Sequence, residues 1–162
     1  MTTDRFVQAR DIVMSEGWLL DTRQWDAWLA LYDPSATYWL PCWLDEDHLT
    51  SDPKSQISLI YYSSRAGLED RVFRIRTGQS LASTPLSRTA HLISIGHARE
   101  VDGKVEVGSS WAVHSIRGDA QHVFFGQQTH VFAEGDTGLK IVERRVVLAN
   151  DRIPNVLDIY SV

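Results

Sequence analysis

The sequence predicts an α+β fold, with helices gathered in the first half of the chain and long antiparallel strands in the second. Two observations carry this. Apolar residues recur at helical spacing in three early segments, and from Ser87 onward β-branched and aromatic residues dominate between turn signals at Asp102-Gly103, Gly118-Asp119 and Gly135-Asp136. Turns of that kind join antiparallel neighbours. Helices first and a run of strands afterward, rather than the two alternating, is the α+β order. No repeat, low-complexity tract or linker interrupts the 162 residues, so residues 1-162 read as a single domain.

The first helix is expected over about Asp4 to Leu20, where Phe6, Ala9, Val13, Gly17 and Leu20 share a face and Arg10, Asp11 and Glu16 lie off it. Asp21 or Thr22 is placed to cap a second helix, TRQWDAWLALY, with Trp25, Trp28, Leu29 and Tyr32 on its buried side and Asp33-Pro34 ending it. ATYWLP (36 to 41) reads as a short strand, CWLDEDHLTSDPKS as a polar loop, and ISLIYYSS as a second apolar, aromatic run. Gly67 opens a third helix with Leu68, Val72 and Ile75 on one stripe and Asp70 four residues ahead of Arg74.

The meander that follows is RTAHLISIGHAREV, KVEVGSSWAVHSI, HVFFGQQTHVFA, LKIVERRVVLAN and a final NVLDIY. In LKIVERRVVL, Lys140 and Arg144 fall on one alternating set and Glu143 and Arg145 on the other. Charge on both faces is the pattern of a strand lying partly outside the core.

Composition narrows the function. Hydrophobic residues at 43% and charged residues at 23% are ordinary globular values and do not point to a membrane protein. The single cysteine, Cys42, cannot form an internal disulfide, and MTTDRFVQARD has no apolar secretory core, so the cytoplasm is the expected location. A net charge of -5 argues against nucleic acid as a partner. Six tryptophans are present, and Trp25, Trp28, Trp39 and Trp43 fall close together, which suits a core or an interface.

No Gly-rich phosphate loop, G-x-S-x-G, H-E-x-x-H or Cys pair is present. The histidines are spread along strands. His122 and His130 stand roughly 26 Å apart at about 3.3 Å per residue, and His114 could meet His122 only as an isolated pair, so a metal site is not expected. Tyr32, Asp33 and His91 could line a pocket as a general-base group. The alternative is that Asp33 ends a helix and His91 serves the structure.

YYSSRAGLEDRVFRIRTG (61 to 78) gathers Arg65, Arg71, Arg74 and Arg76 in an acidic chain. On a helical wheel Phe73 points far from the Leu68, Val72, Ile75 stripe. It therefore either fills a second part of the fold or meets another chain, since arginine and aromatic residues are enriched at interfaces.

Five stretches in order, RQWDAWLALY, DEDHLTSDPKSQISLIYY, GLEDRVFRI, SRTAHLIS and VVLANDRIPNVLDIY, resemble the small (β) subunits of Rieske-type aromatic-ring-hydroxylating dioxygenases, nearest the benzoate, toluate and anthranilate group. The likeness runs from about Gly17 to Val162. It implies a cystatin-like (nuclear-transport-factor-like) cone, with N-terminal helices packed on a strongly curved, mostly antiparallel sheet. It also implies assembly with a large subunit as three large plus three small chains. The large subunit would carry the Rieske 2Fe-2S cluster, the mononuclear iron and the aromatic substrate, and a reductase, with or without a ferredoxin, would deliver electrons from NADH.

On that reading the chain is a structural subunit with no catalytic, cofactor-binding or metal-binding residue of its own. Its interface is drawn from Trp43, Tyr61, Tyr62, Arg65, Arg71, Phe73, Arg74 and Arg76. Two rivals use the same cone differently: a free-standing dehydratase or isomerase acting through Asp33, Tyr32 and His91, and a small-ligand binding module.

Overall fold

The computed structural model describes residues 2–154 and 156–162. Helix α1 (Thr2–Asp21) and the short α2 (Trp25–Leu29) precede β1 (Tyr32–Pro41) and β2 (Ser58–Tyr62); helix α3 (Arg65–Arg76) follows. Four long strands complete the chain: β3 (Arg88–Val101), β4 (Lys104–Arg117), β5 (Ala120–Gly135) and β6 (Gly138–Leu148). They form one six-stranded sheet in the order β2-β1-β6-β5-β4-β3. Every neighbouring pair is antiparallel except β1 with β6, which is parallel. The expected meander is present from β3 to β6.

Helix α1 ends where the chain turns left-handed. Arg23 has φ 58, and the amide of Gln24 donates to the Leu19 carbonyl at 2.8 Å while that of Arg23 donates to Leu20 at 3.1 Å. This is a Schellman closure with arginine in the position glycine usually fills. Thr22 serves the same end, its hydroxyl donating to the Trp18 carbonyl at 2.7 Å. Neither Asp21 nor Thr22 therefore caps α2, whose N-cap is Gln24 without a side-chain bond.

The second helix is far shorter than its apolar spacing predicts. Five residues make barely more than a nucleus, and Tyr32 already belongs to β1, because the aromatic and β-branched run after Leu31 finds strand partners on β6. Pro34 survives inside β1 because the register slips between Tyr32 and Thr37, where no ladder bond needs its missing N–H.

The last predicted strand is absent. Asn155 lies outside the described residues, Val156 to Asp158 have no regular structure, and Ile159–Ser161 form a single 3₁₀ turn capped by Asp158. The segment is nonetheless buried through Ile159, Tyr160 and Val162.

A bulge explains the charges of β6. Val131 pairs with Glu143 but Phe132 pairs with Ile141, so Val142 is the extra residue and the alternation changes phase there. The buried set is Leu139 and Ile141, then Arg144, Val146 and Leu148. Arg144 thus points inward, and the expectation of a strand lying partly outside the core is corrected.

Helix α1 crosses the concave face over β3. A Cβ on Gly17 would stand 2.6 Å from the His91 Cβ, so the close approach requires glycine. Gly17→Ala gains at most about 1 kcal/mol of helix propensity but overpacks this contact by about 1–3 kcal/mol. A net loss of stability is expected in urea titration. Truncating the exposed Met14 on the same helix should shift it by no more than about 0.5 kcal/mol.

Candidate functional site

The interior of the cone holds a charged cluster. Glu16 on α1, Tyr32 and Tyr38 on β1, Gln128 and His130 on β5, and Arg144 on β6 are all buried. The Glu16 carboxylate accepts from the Tyr32 hydroxyl, lies 2.9 Å from His130 Nε2 and 3.4 Å from Arg144 Nε. Arg144 also donates through Nη2 to Gln128 Oε1 at 2.9 Å, and its guanidinium sits 5.2 Å from the centre of the Tyr38 ring.

Burial pushes the Glu16 carboxyl up, but the charge of Arg144 and then that of His130 outweigh it and leave its pKa at about 2. Burial holds His130 below its ordinary value despite the pull of Glu16. The permanent countercharge of Glu16 near neutral pH is therefore Arg144. Burial likewise pushes the Tyr32 and Tyr38 hydroxyls up, so both stay protonated.

This cluster was not legible as a unit. Glu16 was expected off the buried stripe, yet it follows Ala9 by seven residues and Val13 by three. It is the polar member of the Ala9, Val13, Glu16, Leu20 set that faces the core. A carboxylate at such a position is the signal that it has buried partners.

The proposed general-base group does not assemble. The Tyr32 hydroxyl is turned inward to Glu16. Asp33 accepts from the Ser35 amide and hydroxyl at 2.9 and 2.6 Å at the start of β1, a local turn bond. His91 faces α1, where its Nδ1 stands 2.5 Å from Asp21 Oδ1 and its amide donates to Asp21 Oδ2 at 2.8 Å. Burial raises the Asp21 carboxyl, but the hydrogen bonds from His91 hold it below its usual range. Each side chain has a different partner, and His91 joins helix to sheet.

The remaining histidines also separate. His114 registers with Val123, and His122 with the neighbouring Ser115, so strand alternation sends His114 and His122 to opposite faces. Among the described residues no group of three or more His, Cys, Asp or Glu side chains is gathered to hold a metal. A Rieske cluster draws two cysteines and two histidines, and this chain has only Cys42. Among the described residues no helix is long and apolar enough to cross a membrane.

A partly open pocket of about 140 Å³ lies between Ser115, Arg117, His122 and Tyr160. Ligand sites for small molecules run to roughly 300–1,000 Å³, larger than this pocket. Arg117 is already committed there, donating to the carbonyls of Ala82 and Thr84 at 2.6 Å.

The arginine-rich helix divides in two. Arg71 turns inward to the buried Asp158, and Arg65 donates to the Tyr32 carbonyl at 2.8 Å and to Glu69 at 2.8 Å. Arg74 pairs with Asp70 at 3.1 Å and Arg76 with Asp26 at 2.9 Å, both in the open. Phe73 is 57% exposed, so it fills no second part of the fold. Trp43 is partly exposed and donates through its indole to the Leu148 carbonyl at 2.7 Å, while Tyr61 and Tyr62 are half-buried on β2.

Fold and site together define a cystatin-like cone whose interior is closed by its own charged side chains. An NTF2-like protein with a cystatin-like fold from Novosphingobium aromaticivorans shares this architecture, at a TM-score of 0.63 and 15% identity over 93% of this chain and 86% of that one. The sequence pattern of the family described as ring hydroxylating beta subunit matches residues 15–155. The chain belongs to that family.

It is 43% identical to the toluate 1,2-dioxygenase subunit beta of Pseudomonas putida over 99% of both chains. It is also 43% identical to the 2-halobenzoate 1,2-dioxygenase small subunit of Burkholderia cepacia, over 93% of this chain and 92% of that one. The crystal structure of the beta subunit of benzoate 1,2-dioxygenase from Burkholderia mallei superposes at a TM-score of 0.77, with 36% identity and 96% of each chain covered.

Proposed function

We propose that this chain is the structural small subunit of a ring-hydroxylating dioxygenase acting on an aromatic carboxylate of the benzoate, toluate or anthranilate kind. It binds a large subunit, three of each chain to the complex, in the cytoplasm. The large subunit carries the Rieske cluster, the mononuclear iron and the substrate, and a reductase, with or without a ferredoxin, supplies electrons. Family membership over most of the chain supports the class. The observation that carries the structural role is the filled interior: Glu16, the carboxylate at the centre of the cone, is occupied by Tyr32, His130 and Arg144 and is buried. A general base must come within hydrogen-bond reach of its substrate.

The docking face for the large subunit is the outer side of α3, with Phe73 between Arg74 and Arg76 and with Trp43 and Tyr61 as further contacts. An exposed aromatic flanked by Arg74 and Arg76 on one helix face carries the two residue types enriched at interfaces. Co-expressed with its large subunit, the Phe73→Asp, Arg74→Glu double variant is expected to co-purify at least tenfold less well, with an unchanged circular dichroism spectrum. Normal assembly would make α3 a solvated face. Failure of the wild type to bind any Rieske-type large subunit, with turnover of a small substrate that His91→Ala abolishes, would overturn the structural role itself.

A further inference from the structure

The pocket beside the β4–β5 hairpin belongs neither to the buried Glu16 cluster nor to the α3 docking face. His122 stands roughly 26 Å along β5 from His130 at about 3.3 Å per residue. Ser115 and Arg117 enter the pocket from β4, on the same side of the strand as the core residue Val113, and His122 and Phe124 enter from β5. The 3₁₀ turn Ile159–Ser161 closes it with Tyr160 and Ser161.

Its lining has a definite chemistry. Arg117 is a cation set among neutral groups: its hydrogen bonds go to the carbonyls of Ala82, Leu81 and Thr84, at 2.6, 3.2 and 2.6 Å, and among the described residues it forms no ion pair. Those bonds fix the guanidinium and leave it N–H groups to spare. Ser115 and Ser161 are only 8% and 5% exposed, and among the described residues neither hydroxyl is held by another side chain. A hydroxyl buried without a partner is unfavourable, and a ligand oxygen would relieve it. The remaining wall, Ala82, Phe124 and Val156, is apolar.

We propose that this pocket binds a small monocarboxylate, with its carboxylate on Arg117, Ser115 and Ser161 and its carbon end against Ala82, Phe124 and Val156. Charge, shape and size select that ligand. Hydrogen bonds between a guanidinium and a carboxylate are roughly twice as strong as neutral ones, so a neutral molecule forgoes the main attraction. A phosphate or sulfate carries oxygens on every side and would press some of them unpaired against the apolar wall. A cavity of about 150 Å³ takes a benzene-sized molecule, and this one measures about 140 Å³, so a single aromatic ring is the largest carbon end it can enclose. Every side chain involved belongs to this chain, and the inference therefore stands apart from the subunit reading above.

The test is a titration of the isolated, ¹⁵N-labelled chain with sodium benzoate, sodium acetate, benzamide and sodium phosphate, at constant ionic strength because partly exposed charges are screened by salt. Benzoate is expected to give saturable shifts of the Ser115, His122 and Ser161 amide resonances, and benzamide and phosphate none. Arg117→Gln should weaken benzoate binding at least tenfold, and Ser115→Ala severalfold. Arg117 also holds the segment from Leu81 to Thr84. Should its replacement disturb folding, Ser115→Val, which fills the pocket and leaves those carbonyl bonds in place, is expected to abolish the shifts with an unchanged circular dichroism spectrum. Acetate separates the two sources of a carboxylate: binding as tight as that of benzoate assigns a short aliphatic acid, and weaker binding an aromatic one. The absence of saturable shifts with either carboxylate, an equal response to benzamide or phosphate, or benzoate shifts indifferent to both Ser115 variants would overturn the proposal.

Discussion

Glu16→Gln is expected to cost the chain about 3–5 kcal/mol of folding stability, the penalty for leaving a buried charge without its partner. That is a large part of the roughly 5–15 kcal/mol that holds a domain together. The physical reason lies in Arg144, which is 2% exposed and faces Glu16 from the opposite wall of the cone. Gln128 and Tyr38 would still accept its hydrogen bonds, but neither supplies a negative charge. Adding Arg144→Met to Glu16→Gln should restore much of the loss, because an apolar replacement removes the stranded charge. A urea-denaturation double-mutant cycle is then expected to give a coupling above about 2 kcal/mol. Simple additivity would mean that the two side chains do not act as a pair.

The same cluster sets an acid limit. The Glu16 pKa is about 2 in the folded chain against 4.5 for a free carboxyl, so its contribution is fully present above pH 4.5 and lost as pH falls through 2. The difference corresponds to about 3 kcal/mol. His130 adds to this from higher pH. Its folded pKa is depressed by burial, so the unfolded chain takes up the proton first below about pH 6.5, and stability falls with pH there too. Stability measured from pH 7 to 3 should therefore decline in the wild type, and more shallowly below pH 4.5 in Glu16→Gln.

What the sequence disclosed and what it concealed follow from the range of the interactions involved. The four long strands were legible because turn chemistry and β-branched runs are local, and RTAHLISIGHAREV coincides with β3 from end to end. The length of α2 was not, because Trp25, Trp28 and Tyr32 keep helical spacing while their segment is claimed by a strand partner more than a hundred residues away. The β6 bulge was hidden for a related reason: strict alternation assigns Arg144 and Val142 to one face, and only the pairing with β5 shows the change of phase. The buried cluster depends on both effects. His130 and Arg144 each looked like a polar residue on a strand, and their convergence on Glu16 requires the helix to lie across the concave face.

The four arginines of residues 61 to 78 show the same limit, and one of them carries the second large effect. Arg71→Ala is expected to lose about 3 kcal/mol, since it removes the bidentate partner of an Asp158 side chain that is 4% exposed. Among the described residues, hydrogen bonds from the Ile159 amide and the Ser83 hydroxyl would be all that the Asp158 side chain retains, and it would remain buried. Because Asp158 caps the turn that buries Ile159, Tyr160 and Val162, the damage should concentrate in the C-terminal segment. Trypsin cleavage after the exposed Arg152 is therefore expected to accelerate more than tenfold. Arg74→Ala offers the contrast. Its pair with Asp70 is more than half exposed on both sides, and such pairs contribute well under about 1 kcal/mol, so neither stability nor cleavage should move. Equal effects at the two positions would mean that α3 is held as a whole by its charges. The expected inequality separates an arginine that fastens the chain's last turn from arginines left free to meet another protein.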